Sequence, residues 1–463
     1  MSTIEKSPEQ RELFGHPVGL FILFFTEMWE RFSYYGMRAI LVLYLVQNSS
    51  DTNAGLGWTN IEALKLYGWY TMLVYVASIP GGWIADKFLG QKKSVLYGGI
   101  LLVFGHSILA LEEMWAFYSG LGFIIAGVGM LKPNISTMVG KLYKQGDIRR
   151  DKGFTIFYIG INVGAFLSSL IVGYVGEVHG WHYGFGLAGI GMALGLIQYM
   201  VGQKYLVSVG NFLGNSDNIS EREALIKPLT QIEKDRVIVL ILSFLMVIVF
   251  FGAFEQAGGL MNLYAKDQTN RMLMGFEVPA SWFQSLNAFF IIVLGTSVAA
   301  YWAKRKLKGK RASSLFKMIT GLIIMGIGFL FMSAASIEYQ NSGSSAMYWL
   351  VLAYLFHTIG ELSLSPVSLS FVTKLAPAKY ASLMMGLYFA TTGLGNKVAG
   401  LLGESASEFG ELSVFTGIAI FCILFGLLIF AFFKKLKALT HGAEDNEHEF
   451  SEAELLEKES EIA

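Results

Sequence analysis

About twelve long apolar segments divide the chain and constrain its fold more than any other feature. A run of about 20 apolar residues is the length that an α-helix needs to cross the hydrocarbon core of a bilayer. Several segments exceed this length, which indicates tilted helices or helices that extend beyond the bilayer. We predict membrane-spanning helices at 17–47, 62–85, 94–111, 115–139, 154–177, 182–203, 236–264, 280–303, 314–337, 346–373, 380–403 and 412–434.

The composition agrees with a membrane location. Hydrophobic residues make up 54% of the chain and charged residues 15%, whereas soluble domains carry about 25% charged residues. The formal net charge is +0, so there is no electrostatic footprint for nucleic acid. The chain has a single cysteine, Cys422, so an internal disulfide is excluded. Cys422 lies inside an apolar segment. The first apolar segment has full length and no small-residue cleavage site after it, so we expect it to insert without cleavage.

A polar linker at 205–235 separates six predicted helices from the next six. Lys and Arg concentrate in the loops on one side, as in 304–311, and this asymmetry predicts that both termini are cytoplasmic. We expect a multi-pass protein of the plasma membrane, in a bacterium the inner membrane. The predicted parts are a cytoplasmic N-terminus at 1–16, helical bundles at 17–204 and 236–436, the linker at 205–235, and an acidic cytoplasmic tail at 437–463.

A loop motif occurs twice, six predicted helices apart. The first copy contains Gly82 and Asp86 followed by Lys87, and the second has Lys304 where Asp86 stood. Glycines let helix ends approach closely, and an Asp followed by cations can hold one half-bundle against the other. This pattern resembles the loop signature of the major facilitator superfamily, whose two six-helix halves are related by an axis along the membrane normal. The resemblance implies an all-α membrane protein with the major facilitator superfamily fold.

Charged residues interrupt the first apolar segment. Glu27, Glu30, Arg31, Tyr34 and Arg38 are spaced i, i+3, i+4, i+7 and i+11, so they share one face of a helix. An ionisable side chain in the bilayer core costs about 2.5–3.5 kcal/mol on insertion scales, so such a face indicates a polar cavity or a network of partners. The alternative is a structural ion pair that holds this helix against its neighbours, but one such ion pair would not need five polar groups.

Other polar residues are predicted at membrane depth. Lys132 lies past the midplane of the fourth helix and Glu361 lies near the midplane of the tenth. Asn162 and Asn287, on the fifth and eighth helices, also fit interhelical hydrogen bonds worth about 0.6 kcal/mol each.

The cations Arg31, Arg38 and Lys132 lie in the first half of the chain and Glu361 in the second. This distribution favours a zwitterionic substrate whose carboxylate meets the cations and whose ammonium meets Glu361.

The same residues provide a way to couple a proton to a substrate. If a substrate carboxylate takes over Arg31 or Lys132, then Glu27 or Glu30 loses its counter-ion and binds a proton more readily. This linkage needs no histidine. His106 and His357 lie within apolar segments, and we interpret them as packing residues.

Six motifs, in order along almost the whole chain, resemble those of proton-dependent oligopeptide transporters of prokaryotic type. They are Glu27-x-x-Glu30-Arg31-Phe32-x-Tyr34-Tyr35-Gly36, Lys132-Pro133-Asn134, Phe157-Tyr158-x-x-Ile161-Asn162-x-Gly164, Phe254-Glu255-Gln256, Trp282-Phe283-Gln284-Ser285-Leu286-Asn287 and Gly360-Glu361-x5-Pro366.

The resemblance implies a symporter that imports di- and tripeptides with protons by alternating access. It implies proton coupling by Glu27, Glu30, Arg31 and Lys132. It implies an interhalf gate salt bridge between Arg38 and Glu255. The implied peptide-binding residues are Tyr34, Arg38, Tyr75, Lys132, Asn162, Asn287, Glu361, Tyr388, Thr391 and Thr392. We expect peptides, protons and membrane lipid as partners, no nucleic acid, no catalytic residue, no metal and no cofactor, with the proton gradient as the energy source.

The chain departs from the family pattern in places. The linker is too short for the two extra helices of many bacterial relatives, and Gly68 stands where mammalian relatives have a histidine. Tyr388 stands where the family often has Trp, so the side-chain pockets differ. The alternative function is a same-fold symporter for another anion, such as nitrate or a dicarboxylate. A membrane enzyme or receptor is disfavoured because no Ser/His/Asp set, metal-spaced cluster or phosphate loop appears in the sequence.

Overall fold

The computed structural model describes residues 11–143, 147, 149–207, 209–211, 228–377 and 380–443. The predicted N-terminal segment is therefore described only from residue 11. Residues 208 and 212–227 of the predicted linker, and the predicted acidic tail from 444 onward, lie outside the described residues.

The first half of the chain is helical after one short hairpin. Its elements are β1 (Glu12–Leu13), β2 (His16–Pro17), α1 (Val18–Val46), α2 (Asn60–Val76), α3 (Ser78–Ile84), a π-helical turn (Ala85–Leu89), α4 (Gln91–Leu109), α5 (Met114–Lys141), α6 (Arg149–Tyr174), a second π-helical turn (Val175–His179), α7 (Trp181–Gly202) and a 3₁₀ turn (Gln203–Tyr205).

The second half also consists mainly of long helices, with four short strands that form two pairs. Its elements are α8 (Gln231–Phe254), a 3₁₀ turn (Glu255–Ala257), α9 (Leu260–Asp267), β3 (Thr269–Asn270), β4 (Met272–Leu273), β5 (Phe276–Glu277), a 3₁₀ turn (Ala280–Gln284), α10 (Ser285–Leu307), α11 (Ser314–Ser342), β6 (Ser345–Ala346), α12 (Met347–Leu375), α13 (Ala381–Phe409), α14 (Glu411–Ala431) and α15 (Phe433–Ala438). The pairs are β1 with β2, β4 with β5, and β3 parallel to β6.

Every predicted span coincides with helix in the described residues. Some spans are divided: 62–85 comprises α2 and α3, 236–264 comprises α8 and α9, and 412–434 comprises α14 and the start of α15. By length and composition alone, eight of the described helical stretches are apolar enough to cross a membrane. The helix α1 is 29 residues long but carries Glu27, Glu30, Arg31 and Arg38, so its charge keeps it out of that set although its length suffices.

Helix starts follow local sequence signals. Thr59 and Glu62 form a reciprocal capping box at the start of α2, and Thr230 and Glu233 form another at the start of α8. Each box satisfies backbone N–H groups that the first turn of a helix leaves without partners. These caps fix where each helix begins after a polar connection.

Contacts group the chain into two compact units. Unit 1 contains residues 1–216 together with Ala257–Asp267 and Arg271–Phe289, and unit 2 contains 217–256, Gln268–Asn270 and 290–463. The predicted domain boundaries follow helix order, whereas packing assigns α9 and the start of α10 to unit 1.

Within unit 1, α1 is the central helix and packs against α6 and α7, while α4 packs against α5. Within unit 2, α11 packs against α12 and α14, and α8 packs against α13. Glycines permit the closest approaches. A Cβ on Gly81 of α3 would lie 2.0 Å from the carbonyl oxygen of Gly129 in α5, so only glycine fits there.

Candidate functional site

Glu27, Glu30 and Arg31 form a charged cluster in the interior of unit 1. Their relative exposures are 2%, 0% and 2%, so the predicted polar face of α1 points inward. The guanidinium of Arg31 binds Glu30 with two hydrogen bonds, from Nε to Oε2 and from Nη2 to Oε1, the second at 2.6 Å. Its Nε also lies 3.4 Å from Oε1 of Glu27. One guanidinium therefore binds Glu30 in the bidentate geometry that arginine favours and forms a second salt bridge with Glu27.

Lys132 of α5 is the second cation of this cluster. Its Nζ lies 4.1 Å from the ring centroid of Tyr75 in α2, a cation–π contact. Lys132 also interacts electrostatically with Glu27 and Glu30. Among the described residues, Oε2 of Glu27 has no hydrogen-bond partner. With both carboxylates ionised, the cluster of Glu27, Glu30, Arg31 and Lys132 sums to zero charge.

Tyrosine rings separate the guanidiniums of α1. The guanidinium carbon of Arg31 lies 5.2 Å from the ring centroid of Tyr34 and 5.5 Å from that of Tyr35. The guanidinium carbon of Arg38 lies 4.7 Å from the Tyr35 ring centroid. Tyr35 thus links Arg31 to Arg38. The sequence signals this role, since Tyr35 follows Arg31 by four residues and precedes Arg38 by three, which places it between them on a helix.

A glycine on α6 brings that helix against the cluster. A Cβ on Gly164 would lie 2.2 Å from the carbonyl oxygen of Met28 and 3.1 Å from Cβ of Arg31. Asn162, two residues earlier, is buried, and its Nδ2 donates to the carbonyl oxygen of Tyr158 at 2.9 Å within the same helix. Asn287 lies in the first turn of α10 and is half-buried.

Two side-chain amides, one on α9 and one in the turn before α10, are hydrogen-bonded to α1. Nδ2 of Asn262 donates to the carbonyl oxygen of Ala39 at 2.8 Å, and Nε2 of Gln284 donates to the same oxygen at 3.4 Å. Two amides from the second half of the chain therefore share one acceptor on α1.

The turn before α10 is also hydrogen-bonded to α6 and to the π-helical turn that follows it. The carboxylate of Glu177 accepts hydrogen bonds from the backbone N–H of Ala280 at 2.9 Å and of Ser281 at 2.8 Å, and from the hydroxyl of Ser281. The indole N–H of Trp282 donates to the carbonyl oxygen of Leu170 at 3.0 Å. The predictions from sequence missed this role of Glu177, because no local pattern pairs positions so distant in the chain.

Unit 2 holds the remaining predicted peptide-binding residues on two helices. Glu361 is half-buried on α12, and Tyr388 is buried on α13. The Tyr388 hydroxyl lies 3.1 Å from Oγ of Ser368 on α12, which joins the two helices. The hydroxyls of Thr391 and Thr392 donate to the carbonyl oxygen of Tyr388 at 2.7 and 3.3 Å. The structure thus places Glu361, Tyr388 and both threonines on one helix pair.

The predicted gate residues lie in different units. Arg38 is on α1 in unit 1, and Glu255 is buried in the 3₁₀ turn after α8 in unit 2. Their salt bridge stays a prediction.

In the loop motif, Asp86 accepts a hydrogen bond from Nε2 of Gln91 at 3.1 Å, and Oε1 of Gln91 accepts one from Lys141 at 2.9 Å. A Cβ on Gly82 would meet open space, so the glycine required by packing here is Gly81.

Comparisons with known proteins point to transport. Residues 92–216 and 216–418 match the profile described as the POT family. The chain is 36% identical over 464 residues to the peptide transporter YePEPT of Yersinia enterocolitica, covering 87% of this chain and 90% of that protein. It is 34% identical to a di-/tripeptide transporter of Lactococcus lactis, covering 91% and 96% respectively.

A solved structure supports the same assignment. The crystal structure of a mutant of the peptide transporter POT in complex with alafosfalin superposes with a TM-score of 0.86 at 35% identity. The match covers 93% of this chain and 97% of the other. The all-α membrane transporter fold predicted from the sequence is confirmed by this match.

Proposed function

The chain belongs to the POT family of peptide transporters, and we propose that it is a proton-coupled symporter that imports di- and tripeptides by alternating access. The observation that carries this proposal is the buried cluster in which Arg31 holds Glu27 and Glu30, with Lys132 within electrostatic reach. A set of two buried acids, one buried guanidinium and the half-buried Lys132 is suited to bind a proton together with a substrate carboxylate.

The coupling follows from charge balance. With both carboxylates ionised, the cluster is neutral because the two glutamates balance the charges of Arg31 and Lys132. A proton on Glu27 or Glu30 leaves one excess positive charge, which a substrate carboxylate at Arg31 or Lys132 neutralises. Conversely, a bound carboxylate competes with the glutamates for the cations, and so favours their protonation. Each ligand therefore stabilises the binding of the other, as linkage requires.

The amino end of the peptide is assigned to Glu361. A half-buried carboxylate on α12 would pair with an ammonium group, and Tyr388 and Thr392 on α13 would shape the adjoining side-chain pocket. Tyr34, Arg38, Tyr75, Asn162 and Asn287 complete the proposed peptide-binding set, with Arg38 and Glu255 as its gate pair. Recognition of the charged ends and backbone would leave the side chains free to vary, which suits a carrier of many peptides.

The protein is a multi-pass membrane protein. We assign it to the plasma membrane, the inner membrane in a bacterium, with both termini cytoplasmic because Lys and Arg concentrate in loops of one side. The proposal includes no cofactor and no chemical conversion of the peptide, because the proton gradient supplies the free energy. The relatives named as peptide transporters support a peptide over nitrate or a dicarboxylate.

The test is uptake of labelled dialanine into proteoliposomes with an imposed pH gradient, alkaline and negative inside. We expect accumulation above the external concentration, and a protonophore should abolish that accumulation. Nitrate and succinate serve as matched anionic substrates in the same vesicles. Transport of either anion without transport of dialanine would contradict the proposal while leaving the fold unaffected.

A further inference from the structure

A cavity lined by cations lies within unit 2, away from the residues assigned to peptide binding. Its volume is about 300 Å³, room for about ten water molecules at about 30 Å³ each. The six cations that line it are Lys306, Lys310, Arg311, Lys317, Lys374 and Lys437. No acidic residue is among the described residues of its lining. A concave surface with this charge is suited to bind a compact anion.

The walls of the cavity are the ends of three long helices together with the short helix α15. Lys306 lies in the last turn of α10, Lys374 lies in the last turn of α12, and Lys437 lies on the short helix α15. Ser313 caps α11 by accepting a hydrogen bond from the N–H of Phe316, and Ser313 and Ser314 line the cavity. The 29-residue helix α11 therefore begins at the cavity, and its N-terminal dipole adds to the positive potential.

The loop between α10 and α11 is held in a defined conformation. Gly309 adopts a φ of +63°, which closes a turn in which the N–H of Lys310 donates to the carbonyl oxygen of Arg305. Nε of Arg305 donates to the carbonyl oxygen of Arg311 at 2.7 Å. The loop cations are thus presented from an ordered turn, so an anion would not have to fix a free loop when it binds.

Apolar rings at the rim indicate which anion would bind there. The guanidinium of Arg311 lies 5.7 Å from the ring centroid of Phe430 and 5.8 Å from that of Phe433. Phe432, between these two rings in the chain, is 54% exposed. Of the two rings beside Arg311, Phe433 is buried and Phe430 is 37% exposed. A cation beside a partly exposed ring at the end of a spanning helix matches the boundary between lipid head groups and acyl chains.

We propose that this cavity binds the phosphate head group of an anionic phospholipid. The phosphate would lie among the six cations and the first turn of α11, and the acyl chains would extend along the exposed face beside Phe432. Basic pockets between spanning helices are a recurrent way to bind anionic lipids. The site is separate from the peptide-binding residues, and its occupancy does not depend on which substrate the protein carries.

The experiment measures lipid binding directly, on the full chain purified in an uncharged maltoside detergent. The probes are dihexanoyl phosphatidylglycerol, dihexanoyl phosphatidylcholine and inorganic phosphate, with binding measured by native mass spectrometry and by thermophoresis. We expect saturable binding of phosphatidylglycerol, with at least about tenfold weaker binding of the zwitterionic lipid and of free phosphate. Equal affinity for the two lipids would overturn the proposal, and phosphate binding as tight as that of phosphatidylglycerol would assign the cavity to a soluble anion instead.

Two triple variants with the same charge change locate the site. The first, R311Q/K374Q/K437Q, removes three lining cations, and the control, K304Q/K434Q/K435Q, removes three exposed cations outside the lining. A cation near an anionic lipid contributes about fivefold in affinity, so we expect about a 100-fold loss in the first and no more than about a twofold loss in the control. Equal losses would mean diffuse attraction and would overturn the site. If the triple variant does not fold, the single variant Arg311→Gln serves instead, with an expected loss of about fivefold.

Discussion

The carboxylate of Glu177 is hydrogen-bonded to both the backbone N–H and the hydroxyl of Ser281. These two residues lie 104 positions apart, and they join the end of α6 to the first turn before α10. The fit is tight, since a Cβ on Gly173 would lie 2.2 Å from Oγ of Ser281. Any motion that separates the turn Ala280–Gln284 from the end of α6 must break this contact.

Replacement of Glu177 should weaken the attachment of the turn Ala280–Gln284 to the end of α6. Hydrogen bonds to a charged group contribute about 1.5–3 kcal/mol, so Glu177→Ala should lower the free energy of separating these segments by about that amount. Hydrogen exchange read by mass spectrometry on the peptide that contains Ala280 and Ser281 should show faster exchange. The matched control is Glu277→Gln, because Glu277 is 63% exposed and its pair with Arg271 lies at the surface. An unchanged hydrogen-exchange rate in the Glu177 variant would show that these hydrogen bonds do not stabilise the attachment of this turn.

Glu30→Gln should abolish proton-driven accumulation of peptide while peptide exchange between the two sides of the membrane persists. The variant keeps the shape of the side chain but removes the charge that binds Arg31, so proton and peptide binding are no longer linked. Concentrative uptake and counterflow, measured in the same vesicles, separate the two effects. Glu113→Gln, at an exposed loop position, should leave both intact. Accumulation that survives the loss of Glu30 would exclude it from coupling.

Lys132→Ala should weaken binding of a peptide with a free carboxylate by about 10–100-fold, the range of a hydrogen bond to a charged group. The corresponding peptide amide provides the matched control, since it lacks the charge that Lys132 would bind. Competition against labelled dialanine uptake gives both affinities. Equal losses for the acid and the amide would assign Lys132 a structural role through its contact with Tyr75.

Glu361→Gln should abolish uptake of peptides with a free amino group, because the buried ammonium loses its counter-ion. Binding of an N-acetylated peptide, which carries no ammonium, should change by less than about twofold, within the scatter of small surface effects. Thermal shift with each peptide measures binding even where transport is lost. Uptake at the level of the unmodified protein would remove Glu361 from the peptide site.

Gly164→Ala should force α6 away from α1. The added Cβ would lie 2.2 Å from the carbonyl oxygen of Met28, and overpacking of this kind costs about 1–3 kcal/mol. The melting temperature in detergent should fall, and peptide uptake should fall with it because Arg31 lies at the same crossing. Gly122→Ala is the control, since a Cβ there meets no atom within 4 Å. A melting temperature unchanged in both variants would mean that the two helices can separate at no cost.

The features that the sequence predicts well depend on residues that are close together in the chain. The spacing of Glu27, Glu30 and Arg31 places them on one face of any helix, and burial of that face followed from the cost of charge in a membrane. The spans were found for the same reason, since length and apolarity are local properties.

The features it did not predict depend on distant positions. The segment 236–264 was predicted as one helix, whereas a 3₁₀ turn at Glu255–Ala257 divides it. Nε2 of Gln256 donates to the carbonyl oxygens of Gly252 and, on α13, Ala399, so its side chain occupies a position that depends on a helix far along the chain. The contact of Glu177 with Ser281 is of the same kind, because neither residue carries a local signal for the other.

The zero net charge of the cluster formed by Glu27, Glu30, Arg31 and Lys132 has an electrical consequence. A neutral cluster does no work against the membrane potential when the empty carrier changes conformation, and a zwitterionic peptide adds no net charge. The potential then acts on the loaded carrier through each bound proton, at about 2.3 kcal/mol per charge for every 100 mV. Through this cluster, voltage should therefore drive the loaded step inward and leave the return of the empty carrier unaffected.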